Sequence, residues 1–364
     1  MTARWLRRLL LAQLATLLVL GGLLAWFGFP RLALLLFVLG LPAGYLLLTG
    51  AHVLLQAAWC ARQGAPACPA MVRWRIWVAE TGLQMRAFIW LQPWREQTWP
   101  DWLGATSVKG KLGRSCAFSP LTTARMRTDG VARDTPNTGA VATQLPVVTA
   151  RTPGVVLVHG YLCNRAFWNP LLARLQAEGT PFIAVNLEPM LRAIDGYAPG
   201  IDAAVARLAT ATGRPPVLLA HSMGGLAVRA WLASSSANAA RVASVITVGS
   251  PHAGAWTARY ANTIQAVQMR PGSAWLRNLL DLESGQRQPP MHCIAGDCDQ
   301  LVYPIRTALL PGAQTLRLRG TGHLALAFHP ATWDALQTAL RHAREGHVGA
   351  STPCQTNPVG DANL

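Results

Sequence analysis

The sequence is poor in charged residues and almost devoid of lysine. Only 13% of its 364 residues are charged, whereas 51% are hydrophobic. A disordered chain needs dense charge and low hydrophobicity, so that class is excluded for the chain as a whole. The 16 acidic residues face 32 basic ones, of which only Lys109 and Lys111 are lysines. The length leaves room for an α/β core of about 200 to 250 residues and a further unit.

The net charge of +16 raises the question of nucleic-acid binding. The arginines are scattered, with no run of five or more, and no nucleic-acid-binding motif accompanies them. We therefore expect no nucleic-acid partner. Several arginines flank apolar segments, where they favour attraction to anionic lipid head groups.

Seven cysteines are present, with no C-x-x-C pair and no Cys/His cluster at metal-ligand spacing. This pattern argues against a zinc module and against a disulfide framework, and we expect no metal site. Cys163 and Cys298 fall in loops near the site predicted below. The sequence leaves open whether those two meet.

Two long apolar runs lie within the first 58 residues. Residues 9–29 contain only Gln13 as a strongly polar side chain. A helix of that length covers about 31 Å, enough to cross a bilayer core. A second run follows from Leu32 to about Leu55. Residues 1–58 are therefore predicted to be a membrane anchor of two transmembrane helices. A cleaved signal peptide is the alternative, disfavoured because the first run is too long and no A-x-A-like site follows.

Arginines flank this predicted hairpin at both outer ends, whereas Arg31 stands alone in its turn. The positive-inside rule then places both ends, and the domain that follows, on the cytoplasmic side of a bacterial inner membrane. The flanking residues are Arg4, Arg7 and Arg8 before the hairpin and Arg62, Arg73 and Arg75 after it.

Residues 59–153 separate the predicted anchor from the next unit. MVRWRIWVAE and LQMRAFIWLQ, between Met71 and Gln92, alternate well enough to predict two strands of a β-hairpin. From about Gly104 to Pro153 the chain is rich in Thr, Ala, Arg, Gly and Pro without periodicity, which predicts a long connecting loop. The tail, residues 347–364, is predicted to be disordered.

Short apolar strands alternate with helical stretches from Gly154 onward. The strand segments are GVVLVHG, PFIAVNLE, PVLLAHS, VASVITVGS, MHCIAG and QTLRLRG, and a last helix extends from about Pro330 to Glu345. This alternation predicts an α/β fold over residues 154–346, with a mostly parallel, doubly wound sheet covered by helices on both faces.

The stretch AHSMGG at residues 220–225 follows the strand PVLLA and opens a helix. A nucleophile elbow needs this strand-turn-helix setting and small residues on either side of its serine, because the turn is too sharp for larger side chains. Ala220 stands where the usual pattern has glycine, and it is the smallest substitute. Ser222 is therefore the predicted nucleophile, with a simple helix-capping serine as the alternative.

A serine hydroxyl needs a base to take its proton, and an imidazole base needs an acceptor that holds its tautomer. His323, in the loop GTGHL after the last strand, is the predicted base. Asp299 follows the strand MHCIAG and stands three residues before Val302, whose apolar side chain can anchor the loop. It is the predicted acceptor, and Asp297 is the alternative. The order Ser, Asp, His along the chain is the one expected for this fold.

Two backbone amides are expected to form an oxyanion hole for the carbonyl oxygen under attack. One is the N–H of Met223, directly after Ser222 at a helix N-terminus, where the helix dipole also helps. The other is predicted to be the N–H of Tyr161, in the loop after VLVHG, with Leu162 as the next choice.

These motifs together resemble the α/β-hydrolase superfamily, and within it bacterial triacylglycerol lipases and esterases. The resemblance runs from about Gly154 to Arg344 and rests on VLVHGY, AHSMGG, VGSPHAG, QMRPGSAWL, GDCDQLVYP and GTGHLAL. It implies hydrolysis of carboxylic esters, of lipids above all, through an acyl-enzyme on Ser222 and without a cofactor. The alternatives are an acyltransferase or thioesterase that uses the same residues, or a non-catalytic membrane scaffold.

Residues 251–290 lie where such enzymes often carry a lid. AWTARYANTIQAVQ and SAWLRNLLDL are amphipathic. They can close over an acyl chain or pack on the core, and the pattern favours neither. A lid beside a membrane anchor would suit a substrate dissolved in lipid.

Overall fold

The computed structural model describes residues 1–64, 68–104 and 152–346. Most of the predicted connecting loop and all of the predicted disordered tail lie outside these described residues.

A six-stranded sheet forms the centre of the C-terminal unit. All five neighbouring pairs are parallel, in the order β2-β1-β3-β4-β5-β6. The strands are β1 (Val155–Val158), β2 (Phe182–Val185), β3 (Val217–His221), β4 (Ser244–Val248), β5 (Met291–Gly296) and β6 (Gln314–Leu318). The predicted parallel sheet is therefore confirmed.

Both faces of the sheet are covered, because successive strand residues point to opposite sides. Val155 and Leu157 join one apolar layer, and Val156 and Val158 join the other. The first layer contains α5 (Asn169–Ala177), α10 (His323–Phe328) and α11 (Pro330–Glu345), and the second contains α6 (Ala198–Thr212), α7 (Met223–Ala233) and α9 (Ala274–Glu283). Burial on both faces explains why β1 to β4 have nearly continuous apolar sequences. The edge strand β6 is exposed at four of its five positions and has a mixed sequence.

The N-terminal region begins with an antiparallel pair of long helices, α1 (Thr2–Trp26) and α2 (Pro30–Arg62). Both are long and apolar enough to cross a membrane. Their middle portions expose most of their leucines, while the last third of α2 is buried at Thr49, Gly50, Val53, Gln56 and Cys60. At 33 residues α2 is about 50 Å long, which exceeds a bilayer core of about 30 Å and leaves its C-terminal end free to contact the sheet unit.

The β-hairpin predicted from Met71 to Gln92 is wrong. The segment is helical throughout, as α3 (Ala70–Met85), a π-helical stretch (Arg86–Leu91) and the short α4 (Gln92–Trp94). Four of its buried positions, Ile76, Glu80, Gln84 and Ala87, are spaced three to four residues apart, as on one face of a helix. That face is largely polar, so the apolar residues of the segment lie mostly outside it. Their spacing resembles the alternation of a strand, which explains the wrong prediction.

The N-terminal region is joined to the sheet unit by specific hydrogen bonds. Gln92 is fully buried, and its side-chain and main-chain oxygens accept from the backbone N–H and the side-chain amide of Asn164 at 2.7 and 2.8 Å. Trp102 forms an isolated antiparallel bridge with Phe182, at the edge of the sheet. The N-terminal region is therefore packed directly against the sheet unit.

Residues 251–290, where a lid was one of two expectations, pack on the core in the structure. The segment contains α8 (Ile264–Gln268) and α9, whose Leu276 and Leu279 are buried in the second apolar layer. Arg229 of α7 is 1% exposed and forms a bidentate ion pair with Glu283 at 2.6 and 2.8 Å. These contacts agree with the packing alternative.

Candidate active site

The predicted site residues all lie at the carboxyl ends of the strands. The strand order reverses between β1 and β3, and in open parallel sheets a ligand crevice forms at such a point. Tyr161 follows β1 and Ser222 follows β3, so they flank this crevice. Asp299 follows β5 and His323 follows β6 at the same edge.

Ser222 sits at a sharp, strained turn between β3 and α7. Its φ is 54° and its ψ is −128°, a backbone conformation that residues other than glycine rarely adopt. The surroundings are tight, because a Cβ on Gly224 would lie 2.6 Å from the carbonyl oxygens of Val158 and His159. A Cβ on Gly160 would lie 2.9 Å from that of Ser222. This geometry is the elbow that the AHSMGG stretch predicts.

Ser222, His323 and Asp299 form a continuous chain of hydrogen bonds. The Oγ of Ser222 lies 3.0 Å from Nε2 of His323, and Nδ1 of His323 lies 2.8 Å from Oδ2 of Asp299. The His323 and Asp299 side chains are almost completely buried. Because the carboxylate can only accept, it fixes the proton on Nδ1 and leaves Nε2 free to take a proton from the serine.

The structure brings Asp299, and not Asp297, to His323. The second oxygen of Asp299, Oδ1, accepts from the backbone N–H groups of Leu301 and Val302, both at 2.8 Å. Val302 is buried, as expected for a residue that anchors this loop. Asp297 instead accepts from the N–H of Gly320 at 2.7 Å and so ties two loops together.

Opposing effects act on the protonation of His323. Burial alone lowers the pKa of the imidazole, but the charge and hydrogen bond of Asp299, with a further contribution from Glu80, raise it above its ordinary value. The site therefore stabilises the imidazolium that forms when this side chain takes a proton.

Two neighbouring histidines are buried and neutral. Burial and the proximity of His323 hold the pKa of His221 well below its ordinary value, and its ring stacks on Phe167 with centroids 4.8 Å apart. Burial lowers the pKa of His159 to about 4. Nε2 of His159 accepts from the N–H of Leu187, and its Nδ1 contacts the carbonyl of Gly160 at 2.9 Å. His159 thereby holds the turn that precedes Tyr161.

The residues predicted for the oxyanion hole lie on the two loops that flank Ser222. Met223 is the first residue of α7. Tyr161 is partly buried, and its hydroxyl lies 3.0 Å from that of Thr263, which caps α8. Leu162, the next choice, has a φ of 57°. The role of these backbone amides remains a prediction.

Sequence reasoning missed every contact that the N-terminal region makes with this site. Cys68 forms a disulfide with Cys298, directly before Asp299, so Cys298 does not pair with Cys163, which is free and buried. Gln56 of α2 donates to the carbonyl of Asp299 at 3.1 Å. Glu80 of α3 binds the loop of His323, as described below. One signal was available for Glu80, which is the only acidic residue among the first 95.

Within the three described ranges, no three His, Cys, Asp or Glu side chains are grouped so that they could hold a metal ion.

A covered parallel sheet with a serine elbow at its carboxyl edge defines an α/β hydrolase. The chain belongs to the alpha/beta hydrolase family, whose model matches residues 155–339, slightly more than half of its length. Among curated proteins, no sequence matches the chain.

Several solved structures of lipases and esterases are similar to the C-terminal unit. The mature lipase BlEst2 of Bacillus licheniformis is 17% identical, with a TM-score of 0.48, over 54% of this chain and 95% of that one. Lipase B of Aspergillus fumigatus is 17% identical, with a TM-score of 0.45, over 51% of this chain and 52% of that one. The carboxylesterase CesB of Bacillus subtilis is 17% identical, with a TM-score of 0.35, over 54% of this chain and 84% of that one.

Proposed function

We propose that the protein is a membrane-anchored serine hydrolase that cleaves carboxylic esters, of lipids above all, through an acyl-enzyme on Ser222. The observation that carries this proposal is the hydrogen-bonded chain from Ser222 through His323 to Asp299, with Ser222 on a strained turn. Family membership supports hydrolysis as the reaction class.

In the first half of the proposed reaction, Oγ of Ser222 attacks the ester carbonyl carbon while its proton passes to Nε2 of His323. The carbonyl oxygen becomes an oxyanion, which the N–H groups of Met223 and Tyr161 stabilise by about 3 kcal/mol each. The intermediate collapses to the acyl-enzyme, and the leaving alcohol takes the proton from His323. Asp299 holds the imidazole and stabilises its charged form throughout.

In the second half, His323 takes a proton from water, and the resulting hydroxide attacks the acyl-enzyme. The collapse returns the proton from His323 to Ser222 and releases the carboxylic acid. An alcohol or thiol that replaces water at this step would give acyl transfer instead. Product analysis with and without such acceptors distinguishes a hydrolase from an acyltransferase.

The proposal is tested by Ser222→Ala, assayed for hydrolysis of p-nitrophenyl esters and for labelling by a fluorophosphonate. We expect both signals to vanish, because the variant lacks the hydroxyl that forms the ester or phosphonate adduct in the proposed reaction. Ser250→Ala is a matched control, since Ser250 is a buried serine at the end of the neighbouring β4. Unchanged hydrolysis and labelling in Ser222→Ala would refute the proposal, and with it the alternatives that use the same nucleophile.

The lipid substrate is supported by the position of the apolar hairpin. Its second helix, α2, contacts the loop of Asp299 through Gln56, two residues after the exposed Leu54, so the site lies close to the part of the chain that exposes leucines. We propose that α1 and α2 cross a bilayer and hold the site near its surface. An ester series of increasing chain length, presented in vesicles and in free solution, tests this preference.

We propose that the hydrolase domain faces the cytoplasm, as the arginines that flank the hairpin favour. The Cys68–Cys298 disulfide favours the other side, because disulfides persist mainly in oxidising compartments. Fusions to the C-terminus resolve the orientation. If the domain faces the cytoplasm, we expect a fusion to green fluorescent protein to fluoresce and a fusion to alkaline phosphatase to be inactive. An active phosphatase fusion, with the cysteine pair oxidised in cells, would overturn the proposed orientation.

A further inference from the structure

Glu80 is a buried acidic residue in a region that is otherwise basic and apolar. It lies on α3, outside the part of the chain that matches the family, and its exposed fraction is 0%. The helix passes directly over the loop of His323, and a Cβ on Gly322 would lie 2.6 Å from Cγ of Glu80. The carboxyl group is therefore in contact with the segment that carries the proposed general base.

Both oxygens of Glu80 receive hydrogen bonds from the chain around His323. Oε2 accepts from the N–H of Leu324 at 3.0 Å, and Oε1 accepts from the N–H of Ala325 at 2.9 Å. Oε2 also accepts from the side-chain amide of Gln300 at 2.9 Å. The other end of that amide, Oε1 of Gln300, accepts from the backbone N–H of His323 at 3.1 Å. Three consecutive amides, of residues 323 to 325, are thus held directly or through one side chain.

The contacts indicate the ionised form of Glu80. All three partners are donors, so a protonated oxygen would have no acceptor for its hydrogen. Burial raises the pKa of Glu80 above its ordinary value, and the hydrogen bonds from Leu324, Ala325 and Gln300 offset part of that rise. A buried carboxylate is retained only where hydrogen bonds compensate its lost hydration, and here they come from the loop of the proposed general base.

We propose that Glu80 is a positioning residue for His323, which acts through Gln300 and the first turn of α10 to hold the imidazole between Ser222 and Asp299. This inference rests on the proposed function, because it assigns a task to a residue relative to the proposed general base. It extends the machinery of the site to a helix that lies outside the hydrolase fold itself.

A second consequence is electrostatic. Among the described residues, the titratable side chains that interact with His323 are Asp299 from the loop after β5, Glu80 from α3, His221 from β3 and His52 from α2. Of these, only Asp299 and Glu80 bear negative charge. Removal of the Glu80 charge therefore destabilises the imidazolium and lowers the pKa of His323.

The test compares full-length Glu80→Gln with the wild type in detergent or vesicles, by p-nitrophenyl ester kinetics over a range of pH. Glutamine preserves the volume of the side chain, but an NH2 group replaces one of the two carboxylate oxygens. That NH2 group then faces N–H donors and cannot accept their hydrogen bonds. We expect kcat to fall roughly 10- to 100-fold with KM changed by less than about threefold, because a small displacement of a catalytic group is costly while ester binding is untouched. The acid limb of the pH profile is expected to move to lower pH.

Gln84→Met is the matched control. Gln84 is also buried on α3, but its side chain accepts a hydrogen bond from Thr49 of α2 at 3.1 Å and forms none with the described residues of the His323 loop. We expect Gln84→Met to lower the thermal stability of the protein without shifting the pH profile of its activity. Glu80→Asp, which restores the charge one methylene further away, is expected to recover part of kcat and the position of the acid limb.

Gln300→Met provides an independent test if Glu80→Gln does not fold. It breaks the link to the N–H of His323 but leaves the two direct bonds of Glu80 in place, so a smaller loss of kcat without a change in KM is expected. Wild-type kcat and an unmoved acid limb in the folded Glu80 and Gln300 variants would overturn the inference, as would losses equal to that of Gln84→Met. If the wild type itself neither hydrolyses esters nor labels at Ser222, the proposed function fails instead.

Discussion

In the hydrolase core, strands β1 and β3 are buried at every position, and apolar side chains fill both layers beside the sheet. In the N-terminal region, most leucines of α1 and α2 are exposed, while Gln56, Glu80 and Gln92 are buried against the core. The core thus has its apolar side chains inside, whereas the hairpin of α1 and α2 has most of its leucines outside. The junction with the core combines apolar contacts, such as those of Ile76 and Ala87, with buried polar groups.

This difference is the one that the proposed membrane anchor requires. Removal of apolar surface from water stabilises the core. Lipid solvates leucine well, so a hairpin that crosses a bilayer, as we propose, can keep its leucines on the outside. Polar contacts are directional, and they reach the loops of Asp299 and His323. The N-terminal region, which we propose as the membrane anchor, therefore also contacts the loops that carry two residues of the proposed site.

After Ser222→Ala, the largest effect is expected within the core, at Asp299. Asp299→Asn should lower kcat about 10⁴-fold, because the amide can no longer impose the productive imidazole tautomer. Asp297→Asn, in the same loop but bonded to Gly320, should stay within a few-fold of the wild type. Steady-state ester kinetics measure both. Equal losses in the two variants would contradict the assignment of Asp299.

Stability should respond very differently to leucine truncation in the two regions. Leu219→Ala, in the centre of the sheet, is expected to cost about 2 to 5 kcal/mol of unfolding free energy, because it leaves a cavity in a packed layer. Leu47→Ala, at a side chain that is 71% exposed, should change it by less than about 0.5 kcal/mol. Denaturant unfolding in detergent micelles measures both. A large cost for Leu47→Ala would remove the contrast.

The junction itself can be probed at Gln56. Gln56→Leu removes the donor to the carbonyl of Asp299 and should reduce kcat roughly fivefold, the equivalent of about 1 kcal/mol for a buried hydrogen bond. Gln63→Leu, at the exposed C-cap of the same helix, is the control and should leave kcat unchanged. If both variants have the kcat of the wild type, the contact of α2 with the Asp299 loop does not contribute to catalysis.

The smallest effect concerns pH. The neutral form of His323 is the base, so activity is lost as the pH falls through the pKa of this side chain. Because Asp299 and Glu80 raise that pKa, the acid limb of kcat/KM should have its midpoint above 6.5, the ordinary value for histidine. A midpoint below 6.5 would show that burial outweighs the two carboxylates.

Much of the core and of the proposed site follows from local sequence patterns. Apolar runs of four to six residues predict buried parallel strands, and AHSMGG predicts the elbow at Ser222, because both reflect local backbone requirements. The segment from Met71 to Gln92 shows where this reasoning fails. Its alternation of apolar and polar residues predicts strands, yet its buried face is polar, so the assumption that burial follows hydrophobicity does not hold there.

The sequence by itself determined the elbow, the order of the three proposed catalytic residues and the two apolar runs, since each of these is a property of neighbouring residues. The tertiary structure decided which aspartate reaches His323, which cysteine pairs with Cys298 and what Glu80 contacts. Those choices join groups that are distant along the chain. The pairing of β5 with β6 brings Asp299 beside His323, and the packing of the helical region on the sheet unit brings Cys68 to Cys298 and Glu80 to the loop of His323.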